Sequence, residues 1–129
     1  MTSILMTGAT GVIGSRLIPF CAQEPETEAV LVIRADSEEH LAQRRNDLLR
    51  EFNISDTHAR WITAVRGDIS RPGLGLDEPA FRKLAGRITH IIHCAGNVKL
   101  NQSMDQARAN AVSSVESVLS LARACRENG

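Results

Sequence analysis

The sequence predicts an α/β protein built on a doubly wound parallel sheet with helices on both faces. Two observations predict it: short β-branched runs alternate along the chain with segments of helical periodicity, and a glycine-rich turn separates the first strand from the first helix. Strands that alternate with helices are joined by right-handed crossovers, and such crossovers make neighbouring strands parallel.

Four segments have the length and composition of buried strands. They lie near residues 3–7, 29–34, 61–66 and 88–94, and the expected order across the sheet is 3-2-1-4. A complete doubly wound sheet has the order 3-2-1-4-5-6, so we expect a chain truncated after about four strands. An oligomer partner or a missing C-terminal part should then cover the free edge of the fourth strand.

Helical periodicity fills the segments between these strands. A helix is expected directly after the glycine turn, a surface helix over 38–52 with Asp36 or Ser37 as its cap, and a short helix near 80–85. The last helical segment, 103–126, has a wide apolar face that comprises Val112, Val115, Val118, Leu119, Ala122 and Cys125.

The composition is that of one globular domain over residues 1–129. Hydrophobic residues make up 43% of the chain, and fifteen basic residues balance fifteen acidic ones. Without net charge the chain has no field that would attract nucleic acid or a membrane surface, and no apolar run is long enough to span a membrane. The three cysteines are odd in number and lie in predicted helices or strands, so a reducing, cytoplasmic location is expected.

The strongest motif is Gly8-x-x-Gly11-x-x-Gly14, set between a strand and a helix. In a Rossmann-type fold the first glycine permits a tight turn, the second lets the backbone approach a pyrophosphate, and the third lets the helix pack closely on the strand. The N–H groups at the helix N-terminus then face the phosphates. An ordinary glycine-rich turn is the alternative, which the flanking strand and helix disfavour.

The end of the second strand bears on the choice between NAD and NADP(H). Arg34 stands twenty residues after Gly14, where a NAD-binding fold usually places an acid against the ribose 2′-hydroxyl. A guanidinium there can bind a 2′-phosphate, which favours NADP(H). Asp36 supports the opposite interpretation, because a slightly different turn would bring its carboxylate to the ribose. Arg44 and Arg45 either add charge to this pocket or lie on a solvated helix face.

Polar residues near the ends of the third and fourth strands could have either a structural or a ligand-binding role. Asp68 either contacts an adenine amino group or caps a turn. His90 and His93 are three residues apart on a strand and face opposite ways, which argues against joint metal binding. No Cys/His cluster has the spacing of a zinc site, so no metal is expected.

Together these motifs resemble the extended short-chain dehydrogenases/reductases. The resemblance rests on TGATGVIG at 7–14, VIRADS at 32–37, RGDI at 66–69 followed by PGLGL, IIHCAGNV at 91–98, and Asn110 within RANAVSSVESVLSLA. More narrowly, the chain is similar to the thioester reductase domains of carboxylic acid reductases and peptide synthetases, and to fatty acyl-CoA reductases. Gly96 replaces an alanine that is common in the thioester reductases.

The resemblance implies a role for each matching residue. The pyrophosphate turn would comprise Gly8, Thr10, Gly11, Val12, Ile13 and Gly14. The 2′-phosphate contacts would come from Arg34 and Arg44, the adenine contacts from Asp68 and Ile69, and the contacts beside the cofactor ribose from Cys94, Ala95 and Gly96. Asn110 matches the helical asparagine of the superfamily, or is simply a polar position on a helix.

The resemblance also implies catalytic residues that this chain does not supply. In this superfamily a tyrosine and a nearby lysine, with a serine or threonine, donate the proton and polarise the carbonyl. The chain has no tyrosine and ends at Gly129, about where a fifth strand is expected. No residue is therefore assigned to catalysis, and the chain alone is expected to bind NADP(H) without turnover.

Three functions are compatible with these observations. The first is the N-terminal part of a reductase that delivers hydride from NADPH to a thioester or aldehyde. The second is a non-catalytic NADP-binding redox sensor of the tyrosine-less type, and the third is the first half of a sugar-nucleotide epimerase or dehydratase. A Tyr-x-x-x-Lys sequence downstream would favour an enzyme, and a true stop would favour the sensor.

Overall fold

Four parallel strands form one sheet in the part of the chain that the computed structural model describes, residues 1–95 and 101–128. The strands are β1 (Thr2–Thr7), β2 (Thr27–Ile33), β3 (Ile62–Arg66) and β4 (His90–His93). Their order is β3-β2-β1-β4, which confirms the predicted order and the predicted parallel sheet.

The carboxyl ends of the strands lie along one edge of the sheet. Thr7 of β1 is in register with Val32 of β2 and with His93 of β4, and Ile33 of β2 is in register with Arg66 of β3. Residues that follow these positions are therefore brought together at one edge, which is where ligands bind to doubly wound sheets.

Helices connect the strands and cover both faces of the sheet. They are α1 (Val12–Gln23), α2 (Glu38–Glu51), α3 (Asp56–Ala59), α4 (Glu78–Ala85) and α5 (Met104–Asn128), with a 3₁₀ turn at Pro72–Gly75. The helices α1, α2, α4 and α5 confirm the predicted ones. The short helix α3 escapes a periodicity argument because four residues are too few to show a helical period. Ser37, and not Asp36, caps α2: its Oγ accepts a hydrogen bond from the N–H of His40 at 3.1 Å.

Apolar layers lie on both faces of the sheet because successive residues of a strand point to opposite faces. The layer under α1 and α2 includes Met6, Leu31, Ile18 and Leu48. The layer under α4 and α5 includes Leu5, Val30, Leu84 and Leu121. The two central strands are buried on both faces, and this fixes the positions of their carboxyl ends.

The helix α5 buries only part of the wide apolar face that the sequence predicts. Val118 and Cys125 of that face pack on the layer under α4 and α5, whereas Val112, Val115 and Leu119 are each nearly half exposed. The buried residues of α5 are Ser114, Ser117 and Leu121. Small side chains face inward because α5 packs closely on the 3₁₀ turn, where the Ser117 hydroxyl donates to the carbonyl oxygen of Arg71 at 2.7 Å.

The strand β4 lies at an edge of the described sheet. Ile91 and Ile92 are only half-buried, whereas Leu5 and Met6 of the neighbouring β1 are fully buried. The difference arises because β4 pairs with β1 along one side only within the described residues.

Near the amino ends of the strands, an ion pair ties three segments together. Glu28 of β2 accepts hydrogen bonds from Arg87 Nε at 2.9 Å, from Arg87 Nη2 at 3.0 Å, and from the hydroxyl of Ser3 in β1 at 2.6 Å. Burial raises the pKa of Glu28, but the hydrogen bonds from Arg87 and Ser3 outweigh burial and hold this pKa below its usual value.

We predict that Glu28→Gln lowers the free energy of unfolding at pH 7 by about 1 kcal/mol, a modest loss because Arg87 is partly exposed and water screens the pair. Because the pKa of Glu28 is lower in the folded chain than in the unfolded chain, the ionised carboxylate stabilises the fold at pH values above the unfolded pKa. This stabilisation is lost as the pH falls through the pKa of the folded chain. The difference between wild type and variant should therefore shrink below pH 4.5, the usual value for a glutamate. Urea unfolding at several pH values measures it.

Glu78→Gln is the matched control, because Glu78 forms an ion pair with Arg82 in which both side chains are more than 70% exposed. Such a pair contributes little, so this variant should unfold like the wild type at every pH. Equal effects from the two variants, or a Glu28→Gln effect that is independent of pH, would contradict the assigned role.

Candidate functional site

A tight turn connects β1 to α1 at the carboxyl edge of the sheet. Gly8 has a φ of +72°, in the left-handed region that favours glycine, and its carbonyl oxygen accepts a hydrogen bond from the N–H of Gly11 at 3.0 Å. The next N–H to bond along the helix is that of Ser15, which donates to the carbonyl oxygen of Gly11. The N–H groups of the first turn have no acceptor within the helix, and those of the exposed Val12 and Ile13 are available to an anion.

The residues around this helix N-terminus are exposed although several are apolar. The side chains of Val12 and Ile13 are 80% and 70% exposed, and Thr10 and Gly11 are also exposed. Ala9 below them is buried. The turn therefore presents N–H donors and two apolar side chains on an open surface, as expected where a ligand would cover them.

The three glycines of the motif are needed for different physical reasons. A Cβ on Gly8 would lie 2.5 Å from the backbone of Cys94 and Ala95, and a Cβ on Gly14 would lie 2.1 Å from the carbonyl oxygen of Gly8. A Cβ on Gly11 would meet only that same oxygen, at 3.3 Å. Packing of the protein thus requires Gly8 and Gly14, whereas a Cβ on Gly11 would fit if the Gly8 oxygen moved by a few tenths of an ångström.

The end of β4 lies directly beside this turn. The N–H of Cys94 donates to the carbonyl oxygen of Thr7 at 3.1 Å, and the N–H of Ala95 donates to the Thr7 hydroxyl at 3.3 Å. These bonds place two of the residues implied beside the cofactor ribose next to the glycine turn. The third, Gly96, lies outside the described residues.

A basic cavity of about 530 Å³ opens beyond the ends of β2 and β3. The arginines and carboxylates that line it are Arg34, Arg44, Arg66, Arg71, Asp36 and Asp68. The structure thus brings together Arg34, Arg44 and Asp68, three of the residues singled out in the sequence. Four arginines with two carboxylates make the cavity attractive to an anion.

Two arginines of the cavity hold the backbone of the loop after β2. Arg44 donates to the carbonyl oxygen of Arg34, and Arg66 donates to the carbonyl oxygen of Asp36 at 3.3 Å. The Asp36 side chain is 99% exposed and lies 3.7 Å from His40. Arg66 and Arg71 were not predicted as site residues from the sequence. Arg66 was predictable, because it ends the third strand and parallel strands bring their carboxyl ends to the same edge.

Asp68 both caps a turn and lies in the cavity. Its Oδ1 accepts hydrogen bonds from the N–H and the hydroxyl of Ser70, at 2.9 and 2.6 Å. Burial raises the pKa of Asp68, but the bonds from Ser70 and the charges of Arg34 and Arg71 outweigh burial and lower it. The carboxyl is therefore ionised at neutral pH. Ile69 is half-buried and packs on the apolar layer under α4 and α5.

The other residues singled out in the sequence lie apart from the cavity. Arg45 donates to the carbonyl oxygens of Ala59 and Ile62, so it holds the α3 to β3 connection in place. Asn110 of α5 donates to the side-chain oxygen of Gln102 at 2.9 Å. Within the described ranges, no three histidine, cysteine or acidic side chains are placed to hold a metal ion.

A family model described as "Male sterility protein", of the NAD-binding type, matches residues 6–128. The chain is also 33% identical over 121 residues to an isonitrile lipopeptide synthase from Streptomyces coeruleorubidus, covering 92% of this chain and 8% of that protein. The chain therefore spans less than a tenth of this curated relative.

Solved structures show the same likeness. The terminal R domain from the myxalamid PKS-NRPS biosynthetic pathway is 30% identical with a TM-score of 0.83, over 95% of this chain and 32% of that one. The reductase (R) domain of a non-ribosomal peptide synthetase from Mycobacterium tuberculosis is 27% identical with a TM-score of 0.75, over 95% and 30%. The chain thus shares its fold with about a third of the length of these domains. No helix in residues 1–95 and 101–128 is both long and apolar enough to cross a membrane.

We predict that Gly14→Ala destabilises the fold much more than Gly11→Ala does. Gly14→Ala should cost about 3 kcal/mol of unfolding free energy or more, because its Cβ collides with the Gly8 carbonyl oxygen and the backbone must shift. Gly11→Ala should cost about 1 kcal/mol or less, since it only weakens a helix N-cap. Thermal unfolding of both variants measures this, and equal losses would contradict the packing described above.

Proposed function

This chain belongs to the NAD-binding family described as male sterility protein, and from that premise we propose that it is the NADP(H)-binding portion of a reductase of the short-chain dehydrogenase/reductase type. The observation that carries the proposal is the alignment of three features along one edge of the sheet: the glycine turn, the end of β4 and the basic cavity. Doubly wound sheets bind dinucleotides across this edge.

Each part of NADP(H) has a matching surface along this edge. The pyrophosphate would bind the N–H groups at the start of α1, with Thr10, Val12 and Ile13 covered by the cofactor. The cofactor ribose would lie beside Cys94 and Ala95. Gly96 and Asn110 are assigned to that end of the site from the resemblance alone. Asp68 and Ile69 would border the adenine, Asp68 from inside the cavity and Ile69 from the apolar layer beneath it.

The preference for NADP(H) over NAD(H) follows from the charge of the cavity. A 2′-phosphate adds negative charge to the adenosine end of the cofactor, and guanidinium groups bind phosphate oxygens through two parallel hydrogen bonds. Arg34 and Arg44 are the proposed 2′-phosphate contacts, and Arg66 and Arg71 line the same space. Asp36, the residue that would favour NAD, has its side chain almost entirely in solvent.

The reaction that we propose for the full-length protein is the reduction of a thioester or aldehyde by hydride from NADPH. Its support is the 27–30% identity to R domains of peptide synthetase pathways. The chain has no tyrosine, so the proton donor that the superfamily uses must come from residues outside it, and the chain alone should not turn over substrate. A tyrosine-less sensor and a sugar-nucleotide epimerase share the same first half and remain the alternatives.

The edge of β4 is the proposed point of attachment for further protein. Ile91 and Ile92 are half-buried there, and α5, which packs on β4, carries the exposed Val112, Val115 and Leu119. The rest of the reductase, or a second copy of the chain, would complete this side. A reducing, cytoplasmic location is proposed because all three cysteines are free thiols.

We predict that Arg34→Ala weakens the binding of NADP(H) by about tenfold to a hundredfold, because a charge-assisted hydrogen bond contributes about 1.5–3 kcal/mol. Binding of NAD(H), which has no 2′-phosphate, should be nearly unchanged. Titration of both cofactors by nicotinamide fluorescence or calorimetry measures the two constants.

Arg50→Ala is the control, since it removes the same charge from an exposed position on α2 outside the cavity. It should leave both dissociation constants unchanged. Equal losses for NADP(H) and NAD(H) in Arg34→Ala would remove the 2′-phosphate role, and losses in Arg50→Ala would point to net charge alone.

A further inference from the structure

Beneath the glycine turn, a hydroxyl and an imidazole join the ends of two strands. Thr7, the last residue of β1, is fully buried, and its Oγ1 lies 2.5 Å from Nδ1 of His93, the last residue of β4. The two residues are in register in the parallel sheet, so their side chains share a face. The pair thus lies at the strand ends that carry the candidate site.

The burial of Thr7 favours one direction for its bond to His93. The Thr7 hydroxyl oxygen accepts the N–H of Ala95 at 3.3 Å, and its own buried proton needs an acceptor within the protein. Among the described residues the Nδ1 of His93 is within reach. With the Thr7 proton donated to Nδ1, the ring is neutral and carries its own proton on Nε2.

A shift of this pair would displace the end of β4, which is in contact with the glycine turn. A Cβ on Gly8 would lie only 2.5 Å from the N of Ala95 and from the carbonyl carbon of Cys94, so the end of β4 is in close contact with the turn. The Ala95 N–H is held by the Thr7 hydroxyl, which is oriented by His93. The chain of contacts runs from the imidazole through the hydroxyl and the strand end to Gly8.

We propose that His93 is a positioning residue for the cofactor site: as a neutral Nδ1 acceptor it orients the Thr7 hydroxyl, which fixes the end of β4 against the glycine turn. The inference rests on the proposed NADP(H) site and adds a residue to it that does not touch the cofactor. A protonated imidazole would present N–H at Nδ1, where the Thr7 proton now lies, and would break the arrangement.

The surroundings of His93 keep the ring neutral. On the face of the sheet that carries His93, β4 packs on α5 beside its neighbour β1, whereas Ile92 on the opposite face packs on the layer under α1 and α2. β1 has no titratable side chain, and on α5 the charged residues Asp105, Arg108, Glu116, Arg123, Arg126 and Glu127 are all exposed. Cys94 directly follows His93 in the chain. Burial raises the pKa of the Cys125 thiol on α5, which packs on the layer under α4 and α5 and stays neutral. Burial lowers the pKa of His93 below its usual 6.5.

Two matched pairs of variants test the proposal. His93→Leu and Thr7→Val remove the acceptor and the donor, whereas His93→Asn and Thr7→Ser keep a polar atom near the same place. At pH 7.5, in samples shown to be folded by circular dichroism, the first pair should weaken NADP(H) binding about threefold to tenfold, the loss expected for one hydrogen bond. The second pair should stay within about twofold of wild type, because the bond can reform.

The pH profile distinguishes positioning from a merely structural role. NADP(H) binding by the wild type should weaken as the pH falls below 6.5 toward the depressed pKa of His93, and His93→Asn should lose that part of the pH dependence. Folded His93→Leu and Thr7→Val chains that bind NADP(H) as tightly as wild type would overturn the proposal. A wild-type chain that binds no NADP(H) would instead overturn the proposed function.

Nitrogen NMR of the imidazole tests the hydrogen bond even if the variants do not fold. In the wild-type chain at pH 7.5, the His93 ring should be the Nε2–H tautomer with Nδ1 as an acceptor. A ring protonated on Nδ1, or on both nitrogens, would overturn the proposal whatever the binding data show.

Discussion

The candidate site depends on how closely the β1–α1 turn is packed between a helix and a neighbouring strand. The Gly8 backbone touches the start of α1 on one side and the end of β4 on the other, with no room for a Cβ at Gly8 or Gly14. This contact fixes the helix N-terminus relative to the sheet, and the free N–H groups of α1 are thereby aimed past the carboxyl ends of the strands. The geometry of the turn and the position of the anion site thus depend on one steric constraint.

The two ends of this edge differ in charge. At one end, four arginines surround a cavity, and two of them hold the loop after β2 through its carbonyl oxygens. At the other end, the glycine turn and the end of β4 offer backbone groups and small residues with little charge. These two ends would suit a molecule that has an anionic adenosine group at one end, a pyrophosphate in the middle and an uncharged ring at the other end. The likeness to R domains in fold and sequence agrees with it.

Much of this could be predicted from the sequence because it depends on local patterns. The strands, their order and the glycine turn followed from apolar runs, alternation and Gly8-x-x-Gly11-x-x-Gly14. What could not be predicted depends on tertiary packing: the burial of Ser114 and Ser117 where Val112 and Val115 stay exposed, the structural use of Arg45, and the Thr7–His93 bond. These arise from contacts between residues far apart in the chain, for which one sequence offers no periodic signal.

Phosphorus NMR of bound NADP(H) tests the central claim, that the arginine cavity holds the 2′-phosphate, most directly. Free in solution, this phosphate takes up a proton with a pKa of about 6, and its resonance shifts accordingly. Bound among guanidinium groups, the dianion is favoured, so the resonance should stay at its dianionic position as the pH is lowered through that range. A bound 2′-phosphate that titrates as it does in free solution, while the pyrophosphate resonances report binding, would show that the phosphate lies in solvent and contradict the account.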